Sequence, residues 1–366
     1  MRPKLAAWSA VLCVLTLSLT GCWDQRSLTE RSTVLALSAA PHSGGAIDWT
    51  FYFPNPAVTV SSLNQISPHN QFFHFSVLAS TLAAARHGVQ GRLANHLYMG
   101  QLQVLVLSNK LSTDAVARLI EAYNRDGMFP KSAYVLAISN PSAAFPVSLQ
   151  QPLPQVFFSR YFDCHTCQPL YLGQRIWHFW DELMTPGASP TVPLSSSRLI
   201  VDRLLVYPYH GSPAVFGPDA TEGWALLTNH VVDEAVTLHT PSGTVGLEHV
   251  KSRAATTFAY AKGVLEVRVR IRANAVLNEW PAKWPSSTAH IRAIAAMASL
   301  KLAKAADTAI QDADKSRTDP FGWECTYLFR HPQWLQTHRV DTHMPAWPIR
   351  ARVSATTQIV SQGESE

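Results

Sequence analysis

The stretch Val264–Arg272 constrains this chain more than any other. Leu265, Val267, Val269 and Ile271 alternate there with Glu266, Arg268, Arg270 and Arg272, and a period of two puts the four apolar side chains on one face of a strand. The opposite face is wet and basic. Close behind, Thr288–Asp314 is rich in alanine and carries Ile291, Ile294, Ala298, Leu302, Ala305 and Ile310 along one stripe of a long helix. Neither element can leave its apolar side in water, so the helix is expected to lie on the sheet. Arg268, Arg270 and Arg272 are candidates to face a partner, either an acidic surface or anionic lipid head groups; charges at alternate positions also keep an antiparallel sheet soluble.

Strand and helix periodicities alternate through the rest of the chain. Trp49–Phe53, Val104–Leu107 and Tyr134–Ile138 are aromatic or β-branched runs that read as strands. Val77–Arg86 and Asp114–Tyr123 read as helices, the second with Ser112 or Thr113 as N-cap and Gly127 as a left-handed terminator. Asn140–Pro154, rich in Pro, Ser and Ala, reads as an exposed connection. Arg175–Met184 predicts a helix with Ile176, Phe179, Trp180 and Leu183 on its core face, and the prolines of Pro186–Pro193 end the N-terminal region. Leu199–Tyr207 is a strand candidate. After Thr318–Trp323 breaks the long helix, a shorter one carries Leu328, Trp334 and Leu335, and Ile349–Ala355 supplies a last strand. The fold class is therefore α+β and multi-domain, with mixed or antiparallel sheets each covered by helices.

At the amino terminus, Arg2 and Lys4 precede an apolar run from Leu5 to Leu19 and then Leu19-Thr20-Gly21-Cys22. The run is shorter than the roughly 20 residues that a membrane span needs, and it ends in small residues that a signal peptidase accommodates. Residues 1–21 thus read as a lipoprotein signal peptide cleaved between Gly21 and Cys22. The thiol of Cys22 would then take a diacylglyceryl group and its new amine an acyl chain such as palmitate, anchoring the protein to a membrane from outside the cytoplasm.

Composition sets what lies beyond the anchor. At 47% hydrophobic and 15% charged residues the chain can build packed domains rather than a disordered tail. Once Arg2 and Lys4 leave with the signal, 28 basic side chains face 25 acidic ones, a balance that argues against nucleic acid as a partner. Cys13 is lost with the signal as well. Cys164-His165-Thr166-Cys167 has the CxxC spacing of thiol oxidoreductases and of half a zinc site. No second ligand pair follows it, however, and it sits in a loop, so a local disulfide or two idle thiols is expected. His69, His74, His87 and His96 share no helical or strand face, and no metal site is assigned to them. There is no glycine-rich phosphate loop, HExxH, G-x-S-x-G elbow or framed carboxylate pair. A non-enzyme is the expectation, with no cofactor other than the covalent lipid on Cys22.

The residues after the cysteine, Cys22-Trp23-Asp24-Gln25-Arg26-Ser27-Leu28, resemble the opening of the GerAC-type, or Ger(x)C, spore-germination lipoproteins. Later segments agree in order and spacing: Leu97-Tyr98-Met99-Gly100-Gln101 with that family's "LYFGH" strand, and Phe129–Leu136 with the strand after it. Pro186-Gly187-Ala188-Ser189-Pro190 is similar to its "SPGxDPxLP" turn, and Asp319-Pro320-Phe321-Gly322 to its "DxFG" turn. Around Val34–Pro41 the chain lacks the family's usual glycine and aspartate. The resemblance implies three domains, which the sequence resolves as an N-terminal α+β region over 22–196, a small middle portion or linker over 197–220, and a C-terminal α+β domain over 221–366. It also implies a non-catalytic C subunit of a spore nutrient (germinant) receptor at the outer face of the spore inner membrane, with a transporter-like multi-spanning subunit and a large membrane subunit as partners. A lipid-anchored solute-binding protein of a transporter is the alternative, although no internal repeat of two similar lobes is visible.

Overall fold

The computed structural model describes residues 30–55, 72–139, 154–195, 200–281, 287–333 and 348–362. Gly21, Cys22, His69, Trp334, Leu335 and the connection over 140–153 lie outside the described residues.

The N-terminal part runs β1 (Arg31–Thr33), β2 (Ala36–Pro41), β3 (Ile47–Pro54), β4 (Phe72–Ala79), α1 (Leu82–Gln90), β5 (His96–Tyr98), β6 (Val104–Ser108) and α2 (Thr113–Arg125). It continues with β7 (Tyr134–Ile138), α3 (Pro154–Asp163), β8 (Gln174–Arg175), α4 (Ile176–Met184) and β9 (Thr191–Ser195). Then come β10 (Val201–Val206), β11 (Ala214–Phe216) and α5 (Pro218–Thr228). The C-terminal part comprises β12 (Glu234–Thr240), β13 (Gly243–Ala261), β14 (Val264–Glu279), α6 (Thr288–Ser316), α7 (Trp323–Arg330) and β15 (Ile349–Gln362).

A nine-stranded mixed sheet has the order β11-β10-β9-β7-β6-β2-β3-β4, with β8 added beside β7. Its centre, β2, β6, β7 and β9, is parallel, and its flanks are antiparallel. β6 and β7 are buried at every residue, as parallel strands covered on both faces must be. Leu105, Leu107, Val135 and Ala137 join one core with Val116, Leu119 and Ile120 of α2 and with Ile176 and Phe179 of α4. Val104, Val106, Tyr134 and Leu136 face the other way, into a core shared with Phe158 and Phe162 of α3 and with the whole C-terminal part. The two parts are therefore packed together through one continuous apolar core.

The second sheet has the order β12-β13-β14-β15, antiparallel until the last pair, which is parallel. Leu265, Val267, Val269 and Ile271 are 1% exposed or less, and α6 covers them with Ile294, Ala298 and Leu302. The hydroxyl of Ser299 on α6 accepts from the N–H of Thr357 on β15 at 2.8 Å. α6 starts at the N-cap Ser287, which accepts from the N–H of His290, and ends at Arg317 in a left-handed conformation. α5 buries every residue from Ala220 to Leu227 except Glu222. At Gly223 it approaches α6 so closely that a Cβ would lie 2.0 Å from the carbonyl oxygen of Ala305.

Three sequence expectations shift. Val77 to Ala79 belong to β4, in unbroken register against β3; the helix begins only after Thr81, whose hydroxyl accepts from the N–H of Ala84 at 3.2 Å. Gly127 is not in the left-handed region, because α2 ends at Asp126 in an extended conformation. Residues 201–216, within the stretch read as a middle portion or linker, add β10 and β11 to the edge of the large sheet, and Leu204, Val206 and Phe216 are core residues.

Candidate functional site

Two turns distant in sequence meet where the two parts of the chain join. The hydroxyl of Ser189 accepts from the N–H of Asp319 at 2.9 Å, and the N–H of Ser189 donates to the Asp319 carbonyl at 3.2 Å. Trp224 of α5 closes the contact, its indole N–H donating to the Pro320 carbonyl at 2.9 Å. Gly187 (φ 74°) brings the first turn against Glu324; a Cβ there would lie 2.8 Å from the Glu324 Cγ. Only a residue without a side chain takes both that conformation and that space.

Asp319 organises the second turn. Its carboxylate, 2% exposed, accepts from the N–H of Phe321 at 3.2 Å and of Glu324 at 2.7 Å. Burial pushes its pKa up to about 6, while the backbone N–H groups around it pull in the opposite direction. One carboxylate oxygen thus holds the turn at Phe321 and the other the first turn of α7 at Glu324, so Asp319 ties the turn to the helix that follows it.

Beside this clamp opens a pocket of about 690 Å³, within the size range of small-molecule sites. Tyr209, Ile310, Phe321 and Trp323 give it apolar walls, and His210, Asp314 and Arg317 supply polar groups. Phe321 and Trp323 stack with centroids 4.4 Å apart. The imidazole of His210 is 2.8 Å from the carboxylate of Asp114, a hydrogen bond that lowers the pKa of that carboxyl. The bordering hydroxyls of Ser316 and Thr318 bond to each other at 2.8 Å and to carbonyls of α6.

The CxxC loop serves the same junction from another side. The structure places Cys164 and Cys167 in a disulfide. Just beyond it, the Pro169 carbonyl accepts from Val232 and Asp233, and the N–H of Tyr171 donates to the His230 carbonyl at 2.8 Å. The rings of His165, Tyr171, His230 and Trp224 stack in succession, and burial lowers the pKa of His230. Nearby, the Glu222 and Glu234 carboxyls are both pushed up by burial, Glu234 to about 8; Glu222 adds to the cost at Glu234, Asp219 to that at Glu222, and Lys301 partly relieves both.

The remaining sequence candidates are dispersed. His74, His87 and His96 are exposed on β4, α1 and β5. Arg268, Arg270 and Arg272 are exposed on the outer face of β14. The pairing of Ser189 with Asp319 was missed by sequence reasoning, although both turns had been singled out separately.

Comparison with known proteins identifies the architecture. The profile of the spore germination protein N-terminal domain matches residues 24–196, and that of the spore germination B3/GerAC-like C-terminal domain matches residues 214–363. The chain belongs to the GerAC family of spore germination proteins. Among solved structures it is similar to the crystal structure of the GerBC protein, at 12% identity and a TM-score of 0.53, over 88% of this chain and 96% of that one. No curated protein matches it in sequence. The Ser189–Asp319 clamp thus joins a turn near the end of the GerAC N-terminal domain to one inside the C-terminal domain.

Proposed function

We propose that this GerAC-family chain is the non-catalytic, lipid-anchored C subunit of a spore germinant receptor. Lipid on Cys22 holds it at the outer face of the spore inner membrane, and it joins a transporter-like multi-spanning subunit and a large membrane subunit to respond to small nutrients. The observation that carries this reading is that the two GerAC domains occupy the chain in series from residue 24 to residue 363, directly behind the Gly21-Cys22 signal. The shared core and the Ser189–Asp319 clamp support a subunit that acts as one rigid body through its surfaces. Deleting the gene should abolish or slow the response of spores to one class of nutrient, and the wild-type copy should restore it. Unchanged germination with every nutrient tested would refute the reading.

The pocket of about 690 Å³ at the junction favours a second reading, a solute-binding protein. Such proteins close two similar lobes about a hinge. The nine-stranded and four-stranded sheets here are unlike each other, so the receptor-subunit reading takes precedence. Direct nutrient binding by the purified soluble chain, with normal germination in its absence, would reverse that order.

A further inference from the structure

We propose that the outer face of the four-stranded sheet is a docking surface for the anionic head groups of a lipid bilayer. Arg268, Arg270 and Arg272 are the middle row of a wider field. Lys251 and Arg253 on β13 and Arg350 and Arg352 on β15 are exposed on the same face, and the exposed Lys262 lies at the β13–β14 turn. Register aligns these rows: Arg253 is opposite Arg272, and Arg352 is opposite Arg268. Like charges directly across a sheet repel. A face that needed only solubility would interleave the two signs.

Glu266, beside Arg350, is the single acid within this field. Glu248 and Glu279 lie at the opposite end of the sheet. Among the described residues none of these seven Arg and Lys side chains on the strands forms an ion pair with a carboxylate. The field also lacks an apolar centre, since the side chains between the arginines are Ala255, Thr257, Ala259, Ser354 and Thr356. Specific protein interfaces are built around buried aromatic or aliphatic anchors. A spread of cations without an anchor suits a laterally mobile sheet of phosphates.

The proposal rests on the membrane-anchored reading for its biological setting, but its test does not use the anchor. The full mature chain with Cys22→Ser, which carries no lipid, is mixed with vesicles of phosphatidylcholine alone or with added phosphatidylglycerol, and the bound fraction is measured by co-sedimentation. Binding should require phosphatidylglycerol and weaken as salt rises. Each cation near an anionic surface is worth about fivefold in partitioning, so the triple variant Arg268→Gln/Arg270→Gln/Arg352→Gln should bind about a hundredfold more weakly. These positions are exposed, so the variant should melt like the parent. Equal binding to both vesicle types, no binding to either, or full binding by the triple variant would overturn the proposal. Loss of receptor subunits from the triple variant, with no vesicle binding by the parent, would overturn it in favour of an acidic protein surface. Failure with vesicles alongside fatty-acid labelling of Cys22 would leave the anchor reading intact.

Discussion

Substituting Gly223 by alanine sets two physical effects of opposite sign against each other. In a helix interior alanine is favoured over glycine by about 1 kcal/mol, so on propensity alone Gly223→Ala would stabilise α5. The added methyl, however, would stand 2.0 Å from the carbonyl oxygen of Ala305 and 2.9 Å from the Cβ of Ala309, whereas ordinary contacts begin near about 3.5 Å. Its obstacle is the backbone of α6, which no rotamer change can move. To restore an ordinary contact the helices must separate by roughly 1.5 Å, and a gap of even about 1 Å forfeits a quarter to a half of each dispersion contact across the seam. Trp224 and Ala225 on α5 and Ala305, Ala306 and Ala309 on α6 all lie in the core that would loosen. Overpacking costs about 1–3 kcal/mol and occasionally more; against rigid backbone about 3–5 is expected, and subtracting the propensity gain of about 1 leaves a net loss of about 2–4 kcal/mol. For a chain of this length that corresponds to a melting temperature about 3–6 °C lower. Calorimetric or circular-dichroism melting of the mature chain is the assay. A variant as stable as the parent, or more so, would refute the close approach of α5 to α6.

The clamp, a buried acid and the disulfide give three further expectations. Ser189→Ala should cost about 1–2 kcal/mol and Asp319→Ala about 2–4, with a double variant less destabilised than their sum, read by urea denaturation. Glu234, raised to about 8, binds its proton more tightly folded than unfolded; its contribution is full below the unfolded pKa and lost as pH rises through about 8, so Glu234→Gln should flatten the fall in melting temperature between about pH 5 and pH 9. Replacing Cys164 and Cys167 by Ser should cost only about 1–2 kcal/mol, because the closed loop is short, and spores carrying the double variant should still germinate; loss of germination at normal protein level would give the pair a redox role.

What the sequence made legible follows from range. The alternation of Leu265 to Arg272 and the stripe of Ile294, Ala298 and Leu302 are local patterns with one solution each, and helix and sheet meet in the core as those patterns require. The end of β4 blurred into a helix because Val77, Leu78 and Ala79 are apolar in succession, with Leu78 exposed on the face opposite Val77 and Ala79, so the polar half of a strand's alternation is missing there. The contact of Ser189 with Asp319 spans 130 residues, and no periodicity in a single sequence encodes which distant turns will touch. The basic field was half visible: the row on β14 could be read directly, but its alignment with Arg253 and Arg352 depends on register, and the parallel pairing of β15 is set only by the tertiary fold.

The central claim, a lipid-anchored receptor subunit, is tested most directly by purifying the protein from spore inner membranes and identifying both its amino terminus and its companions by mass spectrometry. The account predicts a diacylated, amine-acylated Cys22 as first residue, with a multi-spanning transporter-like subunit and a large membrane subunit recovered in stoichiometric amounts, and loss of the lipid and of membrane retention in Cys22→Ala. An unlipidated protein in the soluble fraction, or a lipidated one recovered with the subunits of a solute transporter instead, would contradict it.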